Sequence, residues 1–111
     1  MTHQRALESL RRQYFWLDSH FDDLHSHCTS SAERSRLRAA YVGSRDNLRD
    51  ARLRIFIDQD PTAGLLLAEL QSAMDRIEEV VGLGFFDGAL QLVTLAVSTA
   101  SRLVGCGSIA A

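Results

Sequence analysis

The sequence has few residues that break helices or build turns: one proline and seven glycines occur among its 111 residues. β-Branched residues are scattered and form no alternating runs, which disfavours a many-stranded β fold. With 46% hydrophobic and 23% charged residues, the composition is that of a globular chain of one domain's length, and it excludes a disordered or fibrous protein. We therefore expect an all-α chain that forms a single domain over residues 1–111.

Lysine is absent, and all 12 basic residues are arginines. Against 14 acidic residues they leave a net charge of −2, which disfavours a strongly basic nucleic-acid-binding protein. The two cysteines, Cys28 and Cys106, are too far apart in sequence for a metal-binding pair of the CxxC type. We expect free thiols, no metal and no cofactor.

No apolar run is long enough for a signal peptide or a membrane span. Residues 1–5 lead directly into a charged amphipathic pattern. The uncharged stretch at 88–101 is shorter than the roughly 20 apolar residues that a membrane span requires, and polar residues interrupt it. We expect a buried helix there, no membrane span and a cytoplasmic protein.

Apolar residues recur at helical spacing in four segments of the chain. The spacing predicts helices over about 4–27, 31–58, 61–82 and 86–104, with a frayed tail at 105–111. Ser30 and Glu33 have the form of a capping box at the start of the second helix. Asp60 followed by Pro61 predicts the start of the third helix, because Asp accepts first-turn N–H groups and Pro suits the first helical position.

Four helices with short connections and sustained heptads predict an antiparallel up-down-up-down four-helix bundle. An alternative is a helical hairpin that completes its bundle only as a dimer. In an up-down bundle the first helix ends where the fourth begins. Cys28 and Cys106 are therefore expected at opposite ends of the molecule, too far apart to form a disulfide.

The fourth predicted helix is apolar over most of its circumference. Beside its main seam a second apolar stripe contains Phe85, Ala89, Leu92, Ala96 and Leu103, with Leu95 adjacent. Such a helix must be covered on more than one side. Either it lies centrally within its own bundle, or the second stripe contacts another subunit or a partner protein. We favour the second interpretation, which predicts a non-catalytic interaction or regulatory module.

Two aromatic residues of the first helix belong to the same hypothesis. Phe15 and Trp16 are predicted to point away from the heptad seam, and exposed aromatic residues often mark a contact surface. In the alternative interpretation, which is equally compatible with the sequence, both side chains pack on the flank of a neighbouring helix.

The second predicted helix carries seven of the twelve arginines. Four of them fall on roughly one face: Arg38, Arg45, Arg49 and Arg52. This face could bind phosphates, as in nucleic acid, or another acidic ligand. The competing interpretation is a solvated surface with local ion pairs. In that interpretation the two predicted hairpins attract each other, because residues 1–56 carry a charge of +3 (ten basic minus seven acidic residues) and residues 57–111 a charge of −5 (two minus seven).

Histidines and carboxylates also recur at helical spacing along the first helix. His20, Asp23 and His27 share one face, and Asp18, Asp22 and His25 share a neighbouring one. These are competent metal ligands, but a metal site in a bundle draws ligands from several helices, and the other three helices contain no histidine. An exposed polar face is therefore expected instead of a metal site.

The opening segment from Ala6 to Gln13, continued by Leu17 and Leu24, resembles the first helix of the all-helical chorismate mutases. The resemblance covers about 20 residues and implies a small helical enzyme in which Arg11 binds a substrate carboxylate. The chain departs from that pattern where the family's helix has a later basic residue, since Cys28 stands there. No further site residue follows from the resemblance.

Overall fold

The computed structural model of the protein describes residues 2–109 as four helices and a small two-stranded sheet. The elements are α1 (Thr2–Ser26), α2 (Ser31–Ala51), β1 (Arg54–Ile55), α3 (Pro61–Gly82), α4 (Ala89–Gly105) and β2 (Ser108–Ile109). All four helices pack against one another around one apolar core. The predicted four-helix bundle is thereby confirmed.

The chain direction alternates from helix to helix, and the two helical hairpins lie side by side. Each helix of one hairpin runs parallel to its neighbour in the other: α1 lies beside α3, and α2 lies beside α4. The Gln13 amide of α1 approaches the Met74 sulfur of α3, while Asn47 of α2 bonds Ser101 of α4. The connection from α2 to α3 therefore crosses the diagonal at one end of the bundle.

The contact between α2 and α4 is close because small residues line it. A Cβ atom on Gly43 would lie 3.1 Å from the Cγ1 atom of Val97, so glycine permits this approach. One turn further along, the Asn47 side-chain amide donates to the Ser101 hydroxyl at 3.0 Å. This pair satisfies a buried amide inside an otherwise apolar contact.

Two helix starts form as the sequence predicts. The Ser30 hydroxyl accepts from the Glu33 N–H at 3.1 Å and caps α2. The Glu33 carboxylate accepts from the Thr29 N–H at 2.8 Å, which closes a capping box displaced by one residue. At α3, the Asp60 carboxylate accepts from the N–H groups of residues 62 and 63, and Pro61 is the first helical residue.

Two helix boundaries and the tail differ from the prediction. Helix α2 ends at Ala51, not at 58, because residues 54–55 leave the helix and pair antiparallel with residues 108–109. Helix α4 starts at Ala89, not at 86, after Gly88 in the left-handed conformation (φ +80°). The tail predicted to fray contains β2, and its residues 110 and 111 lie outside the described residues.

The two thiols lie at opposite ends of the bundle, as predicted. Cys28 lies with Gly88 at the start of α4, and Cys106 follows the end of the same helix. Both are free. Within residues 2–109, the helices are all too short or too polar to cross a membrane.

Candidate functional site

The second apolar stripe of α4 is mostly covered by the protein's own helices. Ala89, Ala96 and Leu103 are each at most 1% exposed, so they belong to the core and are not available to a partner. Leu92 is partly buried against that core, and among the large apolar side chains of α4 Leu95 alone is more than half exposed. The expectation that the whole stripe faces a partner is wrong, because α4 packs on both α2 and α3.

Phe15 and Trp16 separate in the structure. Trp16 is 8% exposed and stacks on His20, with ring centroids 4.3 Å apart. The assignment of Trp16 to a partner surface is wrong, and the alternative of packing on the flank of a neighbouring helix holds, because α1 packs on α3 as well as on α2. Phe15 is 52% exposed, and its ring lies 5.5 Å from that of Tyr14.

Phe85 precedes α4, in the connection from α3. It is 64% exposed. Its neighbour Phe86 is half-buried and stacks on His27, with ring centroids 3.8 Å apart. Of the predicted contact residues, Phe15, Phe85 and Leu95 are therefore accessible, and they lie on three different parts of the chain.

The four predicted arginines of α2 are all exposed, on the side of the helix away from its buried residues. We call Arg38, Arg45, Arg49 and Arg52 the arginine face. Its ion pairs are loose: Arg49 lies 3.4 Å from Asp46, and the remaining pairs on this helix are longer. Arg38 and Arg52 pair with no described acidic residue.

Few of the opposite charges of the two hairpins form ion pairs where the hairpins meet. Within residues 2–109 the ion pairs that join α1 to α3 come from one guanidinium, which binds Asp75 and Glu78. This guanidinium belongs to Arg12 and not to the arginine face. The predicted complementation between hairpins therefore involves α1 and leaves the α2 arginines facing solvent.

The histidines of α1 are engaged in local contacts. The Nδ1 atom of His20 lies 2.8 Å from the Trp16 carbonyl, and that of His27 lies 2.7 Å from the Asp23 carbonyl. Among residues 2–109, no three His, Cys, Asp or Glu side chains come together in a group that could hold a metal ion.

A cleft of about 590 Å³ opens at the end of the bundle where α1 turns into α2 and α4 begins. Its lining combines apolar and charged side chains: Leu24, His27, Cys28, Thr29, Glu33, Arg36, Phe86, Asp87, Gly88, Leu90, Gln91 and Thr94. The cleft could not be predicted from the sequence, because the turn at 27–29 and the start of α4 are far apart in the chain and meet only in the folded protein. Arg11 is exposed on α1 and does not line this cleft.

Two titratable groups of the cleft, Cys28 and Glu33, make hydrogen bonds within the local fold. Burial raises the pKa of the Cys28 thiol, which keeps the sulfur protonated, and the thiol donates to the Leu24 carbonyl. Hydrogen bonds from the Thr29 side chain and backbone lower the pKa of Glu33. The Glu33 carboxylate is thereby committed to the turn, and the Cys28 sulfur is a neutral thiol and a poor nucleophile.

An exposed apolar surface that the sequence analysis did not predict lies at the opposite end of the bundle. We call it the sheet end: strands β1 and β2 with the exposed side chains of Leu53, Ile55, Ile57 and Ile109. Phe56 and Arg54 point inward instead, and the Arg54 guanidinium donates to the Gly107 carbonyl at 2.9 Å. The available signal was short: residues 53–57 are apolar apart from Arg54, and three of them are β-branched or aromatic, which is typical of a strand.

Comparison with known proteins provides no relative: no family model, no curated protein and no solved structure matches the chain. The candidate function therefore rests on the surfaces of the structure.

Proposed function

We propose that the protein is a non-catalytic interaction module that associates with a second copy of itself through the sheet end. The observation that carries the proposal is the concentration of exposed apolar side chains there. Four of the nine large apolar side chains that are more than half exposed among residues 2–109 lie at this end: Leu53, Ile55 and Ile57 alternate along β1 and its flanks, whereas Ile109 lies opposite Arg54 on the other face of the strand pair. An exposed apolar cluster on an otherwise polar protein is typical of a contact surface.

The backbone of the sheet end supports the same proposal. Strands β1 and β2 form a two-stranded sheet, and no third strand within residues 2–109 pairs with either outer edge; just past β1, the Phe56 N–H donates to the His3 ring at 3.4 Å, so the open part of that strand is residues 54–55. An open edge presents unpaired backbone groups to another chain, and natural proteins protect such edges with outward charges or proline. Here the charged side chain of the strand, Arg54, is bonded inward, while Ile55 and Ile57 face solvent.

A second copy fits this edge by symmetry. In a twofold dimer the same patch contacts itself, so an antiparallel pairing of β1 with β1 of a second copy is self-complementary. Such a pairing brings the outward Ile55 and Ile57 side chains next to those of the other copy. It joins two small sheets into one of four strands, which covers one open edge of each chain.

Charge introduced into the sheet end tests the proposal. Replacing Ile55 with Lys is expected to weaken self-association by about tenfold or more, because a charge then enters an apolar contact. The matched control is Leu95→Lys on α4, which introduces the same charge at an equally exposed apolar residue. The dissociation constant of each variant is measured by dilution in an analytical ultracentrifuge.

The control distinguishes the two candidate surfaces. If Leu95→Lys weakens self-association and Ile55→Lys leaves it unchanged, the contact is made by α4 and the proposal is wrong. Circular dichroism shows whether each variant keeps its helices, which the surface position of both residues predicts.

A further inference from the structure

The arginine face is a second surface, of which only Arg52 adjoins the sheet end. It places four arginines along one side of α2 and its C-cap residue Arg52, over about 21 Å of helix at a rise of about 1.5 Å per residue. All four are exposed, and two of them, Arg38 and Arg52, have no ion pair with a described residue. The charge of this face is therefore available to a partner.

The neighbouring part of α1 adds an apolar contact to this charge. Tyr14 of α1 meets Tyr41 of α2, their hydroxyl oxygens being 3.4 Å apart. Arg38 and Arg45 lie one turn to either side of Tyr41, at helical spacing. The exposed ring of Phe15 lies 5.5 Å from that of Tyr14, and the Tyr41 hydroxyl of the same contact donates to the Asp18 carboxylate at 2.7 Å.

We propose that the arginine face, together with Phe15, binds an acidic segment of another protein. Guanidinium groups pair with carboxylates in a planar two-bond geometry, and an aromatic ring beside them holds an apolar side chain of the same segment. An extended segment of about six residues, at about 3.3 Å per residue, spans the face.

The charge distribution favours an acidic protein segment over nucleic acid. Asp46 and Asp50 lie among the arginines and pair loosely with them, which suits spaced carboxylates better than a continuous row of phosphates. The net charge of −2 repels a long polyanion as a whole, whereas a short segment meets mainly the local positive charge.

Binding of a fluorescent oligoglutamate peptide, followed by anisotropy at low salt, tests this proposal. The test variant is Arg38→Gln with Arg45→Gln, two residues that lie away from the sheet end. We expect it to weaken binding by about fivefold or more, since two exposed charge contacts are lost. The control is Arg76→Gln with Arg102→Gln, which removes the same charge from exposed positions of the second hairpin and is expected to leave binding nearly unchanged.

Three outcomes overturn the proposal. Equal weakening by the control pair means that total charge, not this face, attracts the peptide. Absence of saturable binding to wild-type protein at low salt means that the face binds no acidic chain. Tighter binding of single-stranded DNA of matched length, with a steep salt dependence, means that the partner is a nucleic acid.

Discussion

Gln13 is the least satisfied side chain of the core. It is 1% exposed, its amide nitrogen lies 3.9 Å from the Met74 sulfur, and no group within residues 2–109 donates to its Oε1 atom. An unsatisfied buried acceptor costs about 1–3 kcal/mol of stability. Gln13→Met keeps the length of the side chain and is expected to raise the free energy of unfolding by about 1 kcal/mol, measured by denaturant melts.

Asn47 provides the matched comparison for this prediction. It is also a buried amide, but it both donates to and accepts from Ser101 across the α2–α4 contact. Asn47→Leu is therefore expected to lower the free energy of unfolding, by about 0.5–1.5 kcal/mol, because the hydrogen bonds of this amide to Ser101 and to the Val97 carbonyl are lost. If both substitutions destabilise the protein, Gln13 has a hydrogen-bond partner and the interpretation of its burial fails.

At the scale of single elements, the Asp60–Pro61 start of α3 gives a quantitative expectation. Asp60→Ala removes the acceptor for two backbone N–H groups and is expected to cost about 1 kcal/mol. Pro61→Ala is expected to change stability much less, because the first helical residue makes no intrahelical N–H bond. Denaturant melts of the two variants measure both effects, and a strongly stabilised Pro61→Ala would contradict a helix start at this point.

The junction between the two strands depends on one glycine. A Cβ atom on Gly107 would lie 3.0 Å from both Arg54 and the Phe56 ring, so Gly107→Ala must displace β2 or that ring. We expect this variant to lose about 1–3 kcal/mol of stability in thermal or denaturant melts.

Gly105 is the control for this substitution. It lies in the last turn of α4, and a Cβ atom there meets nothing within 4 Å. Gly105→Ala is expected to be neutral or to stabilise the protein slightly, since alanine favours a helix more than glycine does. Equal effects of the two substitutions would show that β2 does not pack closely on β1.

The elements also show what local sequence can and cannot predict. Helix α3 has the predicted bounds because its start signal and its period lie within the helix itself. The end of α2 was misplaced because Ile55 pairs with Ser108, which lies far along the chain. An apolar residue at helical spacing, such as Ile55, lengthens the predicted helix. The strand pairing that ends the real helix depends on tertiary contacts, which a local pattern does not contain.

At the scale of the whole molecule, the heptad pattern predicted the number and alternation of the helices but not which helices are neighbours. A single seam accounts for one contact, while each helix of this bundle contacts at least two others. Because it describes only one contact per helix, the heptad pattern assigns Trp16 and Leu103 to a partner surface, whereas both belong to the core. The cleft and the sheet end each join distant segments, so no local pattern could locate them.

The bundle thus carries an apolar surface at one end and a charged surface along one side. The arginine face ends at Arg52, next to Leu53 of the sheet end. Its other end, near Arg38, stays accessible when two copies associate through the sheet end. A self-associated form is therefore expected to present two copies of the charged surface to acidic segments.

The mass of the wild-type protein in solution, measured by sedimentation equilibrium across micromolar concentrations, tests self-association most directly. The chain has a mass of 12.3 kDa. We expect the measured mass to rise toward twice that value as the concentration increases, and Ile55→Lys to keep it near that of one chain. A mass of 12.3 kDa at every concentration of the wild-type protein would contradict self-association through the sheet end.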